Sequence, residues 1–222
     1  MSRFATVLGP AAFLFSLGAL AAEPGPKELH VRGDVASYKS TTLDVKSRDG
    51  RTITLELTDQ TRIALAEPAD LSSIAQGTYV GTTARPQADG TLRAVEVHVF
   101  PESMRGAGEG HRPWDLEPGS SMTNATVSAV ASKRAGAQSS MTNATVAKAA
   151  TSGGGLTLDL KYPSGEQTVL VPPGTPVVKL APGSASQLTP GAHVFAAYAP
   201  QPDGKSTALR IVVGANGVRP PM

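Results

Sequence analysis

Residues 42–57 of the chain read TLDVKSRDGRTITLEL, and residues 157–171 read TLDLKYPSGEQTVLV, so two similar stretches occur within 222 residues. The likeness continues from Thr61 to Val99 at a constant offset of 114 residues, which places Asp89-Gly90 before Asp203-Gly204 (203 − 89 = 114). Similarity at a fixed offset indicates one structural unit made twice.

The repeated stretch has the period of a β-strand. Leu43 and Val45 fall on one face, while Asp44 and Lys46 fall on the other. Alternation of this kind is typical of an antiparallel strand with one face buried. Asp49-Gly50 separates it from the next alternating run and predicts a tight hairpin, because Gly readily takes the positive φ that such a turn needs.

The same patterns predict an all-β protein with five short strands in each unit and hairpin connections. A small closed or nearly closed barrel is favoured because closure removes exposed strand edges. An eight-stranded sandwich built across both units is the competing architecture. In the first unit the predicted strands are 30–38, 42–46, 51–57, 79–85 and 95–99, and in the second unit a first strand at 143–149 precedes the counterparts of the other four.

The last strand of the first unit bears on function. Its alternation predicts that Val95, Val97 and Val99 face the core, and that Glu96 and His98 face solvent. A valine takes the place of His98 in the second unit, which argues against a catalytic role shared by the two units.

The N-terminal residues are predicted to lie outside the fold. Residues 1–22 combine one basic residue, Arg3, with an apolar run at 7–20 and small residues at 19–22. This is the pattern of a cleaved secretory signal peptide. An uncleaved membrane anchor is the alternative, but the run is shorter than the ~20 apolar residues of a spanning helix. The expected location is the periplasm, with no membrane span after cleavage.

The amino-acid composition excludes several kinds of functional site. The chain has no cysteine, which excludes disulfides, thiolate metal sites and cysteine nucleophiles. Basic and acidic residues nearly balance, 20 against 18, so the protein has no strong long-range attraction for nucleic acid.

Between the units lies a Gly- and Pro-rich stretch that predicts a linker. It contains a second duplication, because SSMTNATV occurs at 120–127 and again at 139–146. One barrel can use one copy as its first strand, and the second copy is expected to supply it because it is nearer to the TLDL strand.

The domain boundaries follow from these assignments. They are a signal peptide at 1–22, a first barrel at 27–100, a linker at 101–138, a second barrel at 139–216 and a tail at 217–222.

The unit resembles a bacterial exported domain family of unknown function with OB-like barrels. Gly33, Val35, Thr42–Val45, Asp49-Gly50 and Gly77 carry part of the pattern. The resemblance implies two tandem five-stranded OB-like barrels in an exported protein, and no catalytic residues.

Two further segments resemble a proteobacterial group often labelled "metal ABC transporter permease". They are residues 108–127 and Val171–Val178, which reads VPPGTPVV. A permease needs several helices of ~20 apolar residues. This chain has at most one such segment, so the resemblance implies association with a metal transport system and not a permease.

A metal site is the most specific functional hypothesis from the residues. Glu109, His111 and Asp115 lie close together, with Glu117 nearby, and imidazole and carboxylate groups can hold Zn²⁺ or Mn²⁺. The spacing matches no known ligand signature. The alternative is a linker in which Trp114 packs on a barrel while His111 is solvated.

The absence of known catalytic motifs bears on the remaining functional classes. No hydrolase, P-loop or dinucleotide motif is present, so the protein is expected not to be an enzyme. The expected function is binding or scaffolding in the bacterial envelope, with an envelope protein as partner and Arg112 and Trp114 as binding residues. The alternative is a metal-binding accessory protein, and no other cofactor is expected.

Overall fold

The computed structural model describes residues 28–132, 155–220 and 222. The signal peptide predicted at 1–22 and the second copy of SSMTNATV at 139–146 lie outside the described residues. The described chain is all-β, as predicted, with thirteen strands and three short 3₁₀ turns. None of the described residues forms a helix long and apolar enough to cross a membrane.

The first unit contributes six strands and a short strand follows it. They are β1 (Leu29–Lys39), β2 (Thr42–Ser47), β3 (Thr52–Glu56), β4 (Arg62–Pro68), β5 (Tyr79–Pro86), β6 (Leu92–Val99) and β7 (Gly110–Pro113). The 3₁₀ turns are Leu71–Ser73, Glu102–Met104 and Ala185–Gln187.

The second unit repeats the same order. Its strands are β8 (Ser121–Ser132), β9 (Leu156–Tyr162), β10 (Gly165–Val171), β11 (Val177–Pro182), β12 (His193–Pro200) and β13 (Ser206–Gly214). Each unit therefore has one strand more than the five predicted, because β4 and β11 were assigned to connecting segments.

The strands close into two five-stranded barrels, and each barrel draws on both units. Barrel A consists of β1, β2 and β3 from the first unit with β12 and β13 from the second. In it β1 pairs with β12 and with β2, β2 pairs with β3, and β13 pairs with β12 and, at Thr207 opposite Glu56, with β3.

Barrel B has the reciprocal composition. It consists of β8, β9 and β10 from the second unit with β5 and β6 from the first. Strand β5 pairs with β6 and β8, β9 lies between β8 and β10, and β10 closes the barrel on β6 in parallel.

Strands β4 and β11 carry the chain from one barrel to the other. Each lies parallel to the last strand of a barrel, β4 beside β13 and β11 beside β6, and the two pair with each other antiparallel. Ala66 lies opposite Leu180, its own counterpart 114 residues on, so an approximate two-fold axis passes between them.

Because of the exchange, the predicted domain boundaries do not correspond to the two barrels. Residues 27–100 and 139–216 are units of sequence, but neither closes a barrel by itself. The barrels are not tandem along the chain, because each exchanges its last two strands with the other. The strands of each barrel pair in a closed ring, so the fold is not the alternative sandwich.

The first copy of the short duplication takes the strand position that was predicted for the second. Strand β8 contains Ser121–Val127 and pairs with β5 and β9. Strand β9 has β8 on one edge and β10 on the other along its length. Both edges are thus taken, and the prediction that 139–146 supplies this strand is wrong.

Each barrel encloses its own apolar core, at positions that the alternation predicted. An exception is Val95, which lies outside the core of barrel B because β6 has a bulge between Ala94 and Glu96. Leu43, Val45 and Leu55 are fully buried in barrel A, with Ile211 donated by the other unit. Barrel B buries the equivalent set, including Leu158 and Leu160. Burial on this scale contributes about 1.5–3 kcal/mol for each large aliphatic side chain relative to exposure.

The prediction for the outward face of β6 is wrong. Glu96 and His98 were expected in solvent, but their exposed fractions are 2% and 1%. Their side chains do point away from the core of barrel B. His98 lines one cavity with Phe195 and Val212 of barrel A, and Glu96 contacts His98 and Thr83.

Candidate functional site

A third apolar cluster lies on the outer face of barrel A. Phe195, Ala197 and Val212 come from that face, and Ala64 and Leu180 come from the crossing strands β4 and β11. Strands of an antiparallel sheet expose alternate side chains on each face. The crossing strands therefore bury part of the second face of barrel A, and Phe100, Met104 and Trp114 from the segment after β6 pack against the same cluster.

The segment from Pro101 to Ser120, called the bridge below, spans the junction of the two barrels. Its strand β7 pairs with β8 of barrel B, with His111 opposite Thr123. Immediately afterwards Trp114 packs on barrel A, with its ring centroid 4.5 Å from that of His30 and 6.1 Å from that of Phe195. The bridge thus contacts both barrels, and Trp114 is half-buried at their junction.

Ion pairs hold the bridge to barrel A. The Asp115 carboxylate lies 2.7 Å from the Arg32 guanidinium and 2.9 Å from the His30 ring. Partial burial raises the pKa of Asp115, but the hydrogen bonds from Arg32 and His30 outweigh this effect and the pKa lies below its usual value. On the other side, Glu117 pairs with Arg85 of barrel B.

Between the bridge and the two barrels lies a cavity of about 320 Å³, called the central cavity below. Its volume is near the lower end of the range, roughly 300–1,000 Å³, found for small-molecule sites. Most of the wall is apolar, with Phe100, Met104, Leu180 and Phe195 among the lining residues. A mostly apolar wall with a few polar groups is typical of a site for an organic ligand.

Two polar atoms of the cavity wall have no hydrogen-bond partner among the described residues. They are Oδ1 of Asn124 and Nε1 of Trp114, both shielded from solvent. The other end of the Asn124 amide donates to the carbonyl oxygen of Ala107, at 3.0 Å, which holds the side chain in place. A buried polar group without a partner costs about 1–3 kcal/mol. A ligand that paired with these atoms would recover that free energy.

Three arginines make the central cavity positive. Arg62, Arg112 and Arg210 line it together with His98, and no Asp or Glu of the described chain does so. Arg210 lies 2.6 Å from Glu28 at the edge of the junction. Burial and the nearby Arg210 guanidinium lower the pKa of Arg112 from its ordinary value.

His98 is held in the wall by a buried polar group behind it. Its Nε2 lies 3.2 Å from Oε1 of Glu96, and the Thr83 hydroxyl donates to the same oxygen at 2.6 Å. These contacts fix the ring orientation, because a hydrogen bond to one ring nitrogen determines the role of the other.

The two units differ at the positions that form this junction. Gly81 and Phe195 are equivalent, and so are His98 and Val212, each 114 residues apart. The opposing strand differs too, since Asn124 faces Gly81 in barrel B, whereas Arg32 faces Phe195 in barrel A. The approximate two-fold axis therefore relates a polar face to an aromatic one.

Of the predicted site residues, the structure places two at the central cavity. Arg112 and Trp114 both line it, and the Arg112 guanidinium lies 5.5 Å from the centre of the Trp114 ring. Their assignment as binding residues rested on the bridge sequence alone and stays a prediction about function.

The predicted metal ligands do not come together. The His111 ring lies 2.8 Å from the Thr123 hydroxyl, Asp115 pairs with Arg32, and Glu109 is exposed. In the described ranges no three His, Asp or Glu side chains are close enough to hold an ion. The metal site at Glu109, His111 and Asp115 therefore has no geometric support.

Sequence reasoning missed most of the cavity residues. His98 was predicted to face solvent and Asn124 fell in the predicted linker, while Arg62 and Arg210 were given no function. The sequence differences between the two units could have indicated these residues. Where the core positions of a repeat are alike and its outward positions differ, the outward face has a role that the two units do not share.

A second cavity, of about 380 Å³, lies on barrel A and is more polar. Lys46, Arg48 and Arg219 line it, and all three are exposed. None of the unpartnered buried atoms found in the described chain belongs to its wall. It lacks the features that single out the central cavity.

Comparison with known proteins adds one similarity. Residues 32–98 match a family described as a domain of unknown function, DUF5666. The match spans strands β1 to β6, which is one unit of sequence and contributes to both barrels. No curated protein and no solved structure matches the chain.

Proposed function

We propose that this protein is an exported, non-enzymatic binding protein of the bacterial cell envelope, and that it binds a small organic ligand in the central cavity. The observation that carries the proposal is the cavity itself, an apolar space with buried, unpartnered atoms of Asn124 and Trp114 in its wall. Export is supported by the signal-peptide pattern of residues 1–22.

The bridge provides the means of enclosing a ligand. It covers the junction from Pro101 to Ser120 and is held to barrel A by Asp115 and to barrel B by Glu117. A ligand in the cavity would contact both barrels and the bridge together. Binding would therefore stabilise the exchanged fold, by about 2.7 kcal/mol when free ligand is present at 100 times its Kd.

The test uses a neutral apolar dye, N-phenyl-1-naphthylamine, and the single tryptophan of the chain. Because Trp114 lines the cavity, bound dye should accept its excitation energy, and we expect one saturable site. Ala107→Phe should block binding, because Ala107 lines the cavity. Ala129→Phe is the matched control, since Ala129 is exposed on β8.

Two results would contradict the proposal. One is the absence of energy transfer in folded wild-type protein at saturating dye. The other is dye binding that is unchanged in folded Ala107→Phe, which would place the dye elsewhere.

A further inference from the structure

The central cavity carries positive charge that the described part of the protein neutralises only at Arg210. Neither Arg62 nor Arg112 has a carboxylate within 4.0 Å among the residues described, whereas Arg210 is paired with Glu28. The wall supplies guanidinium donors and an imidazole but no Asp or Glu side chain. This asymmetry selects against a cationic ligand, because a like charge there would be repelled in a partly dry site.

Arg112 is held in position by the bridge. Its Nη1 donates to the Gly108 carbonyl oxygen at 2.8 Å, and its Cζ lies over the Trp114 ring, 5.5 Å from the ring centroid. A guanidinium has five N–H donors, so several remain for another acceptor. A planar fork of this kind matches a carboxylate, which can accept two parallel hydrogen bonds.

The proximity of Arg112 and Arg210 also favours an anion. Burial and the positive charge of Arg210 both make the charged form of Arg112 less favourable, and the negative charge of Glu28 offsets them only in part, so the pKa of Arg112 lies below its ordinary value. A bound anion would oppose this effect by supplying a further countercharge.

The remainder of the wall requires an apolar ligand body. Phe100, Met104, Leu180 and Phe195 surround the space on the side of the crossing strands. A small inorganic anion would leave this apolar surface wet and would gain nothing from it. An aliphatic or aromatic body would bury apolar area, at about 25 cal/mol for each Å² removed from water.

We infer that the ligand of the central cavity is an organic acid, with one carboxylate held by Arg112 and Arg62 and an apolar body packed against Phe195 and Leu180. This inference rests on the proposed binding function and specifies its ligand class. The unpartnered donor Nε1 of Trp114 is a further hydrogen-bonding group of the wall.

The test measures displacement of N-phenyl-1-naphthylamine by three ligands that share one chain: octanoate, octan-1-ol and octylammonium. We expect octanoate to displace the dye at a concentration at least about tenfold below that of octanol, since a hydrogen bond to a charged group contributes about 1.5–3 kcal/mol. Octylammonium should be weaker than octanol.

Variants localise the effect to the arginines. Arg112→Gln should weaken octanoate about ten- to a hundredfold and octanol much less, since an alcohol carries no charge to pair with the guanidinium. Arg62→Gln, at an exposed position, is the second variant and should act in the same direction. Arg93→Gln is the matched control, because Arg93 is exposed on β6 and does not line the cavity; it should bind octanoate as wild type does.

The outcomes separate this inference from the proposed function. If the dye binds but octanol displaces it as well as octanoate does, the acid class is wrong and the binding function stands. Equal loss of octanoate affinity in Arg112→Gln and Arg93→Gln also overturns the inference. If the dye does not bind folded wild-type protein, both proposals fail.

Discussion

The exchange of strands between the units can be tested with a pair of cysteines, because the chain has none of its own. Asp34 of β1 lies directly opposite His193 of β12, and their side chains form an ion pair. Opposed residues on antiparallel strands have Cβ atoms about 4.5–5.5 Å apart, and a disulfide needs about 3.5–4.5 Å. A small shift therefore allows Asp34→Cys and His193→Cys to form a bond.

The expected stabilisation follows from the length of chain that the bond closes. The two positions are 159 residues apart, and the chain-entropy estimate for a loop of this length is about 5 kcal/mol. The substitutions also remove a partly exposed ion pair, which contributes at most about 1 kcal/mol. Relative to wild type the net upper value is about 4 kcal/mol. Between the oxidised and reduced forms of the variant, which both lack the ion pair, it is about 5 kcal/mol, or a rise in Tm of about 10–20 °C for a chain of this size.

The assay compares the oxidised and reduced forms of one variant, so that the substitutions cancel. Intramolecular bonding is read from the mass of a proteolytic fragment that contains both positions, and Tm is measured by circular dichroism on the monomer. A matched variant carries Asp34→Cys with Tyr79→Cys. Tyr79 is the counterpart of His193 in the first unit and would face Asp34 if each unit closed its own barrel.

Two results would refute the exchanged topology. One is a folded Asp34/His193 variant that forms no intramolecular bond under oxidising conditions. The other is efficient bonding in the Asp34/Tyr79 variant, since β1 would then pair with β5 instead of β12.

Two further substitutions test the junction. Gly81→Ala should lower the free energy of unfolding by about 1–3 kcal/mol in urea denaturation, because the added Cβ would lie 2.6 Å from Oδ1 of Asn124. Gly165→Ala is its control: the nearest atom is 3.4 Å away, and stability should be unchanged or rise by up to about 1 kcal/mol. The second test concerns pH. Because the folded protein lowers the pKa of Asp115, its ion pair with Arg32 stabilises the fold above the unfolded pKa of about 3.9 and is lost as pH falls through the folded value. Emission of the single tryptophan should therefore change on acidification, and Asp115→Asn should show the acid-form emission already at neutral pH.

Each of these two tests has a result that would contradict the prediction. Equal stability losses for Gly81→Ala and Gly165→Ala would mean that the junction tolerates an added methyl group. A wild-type emission transition that persists unchanged in Asp115→Asn would assign it to another carboxylate.

Much of the fold was predictable from residues that act locally. Leu43 and Val45 alternate with Asp44 and Lys46, and the Asp49-Gly50 turn follows them, so strand, face and hairpin are all encoded within a few residues. Such patterns depend on the two-residue period of a strand, which any extended segment obeys. They hold whichever barrel the strand enters.

The cavity residues were less predictable because their burial depends on distant contacts. His98 follows the alternation that marks a solvent-facing residue, yet it is buried and lines the central cavity. Arg112 and Trp114 stood out as members of an unusual segment. Arg62 and Asn124 carried no local signal, since each joins the cavity only through the packing of one barrel on the other.

The all-β class, the duplicated unit and the faces that form each core can be deduced from the amino-acid sequence, because strand periodicity and turn chemistry are local. Which unit completes which barrel is known only from the folded chain. Equivalent strands such as β5 and β12 have the same pattern and could pair with β1 equally well by local rules. The choice depends on β4 and β11, which pair across the two-fold axis at Ala66 and Leu180 and carry each unit into the other barrel. That crossing brings the outer faces together and creates the cavity between them.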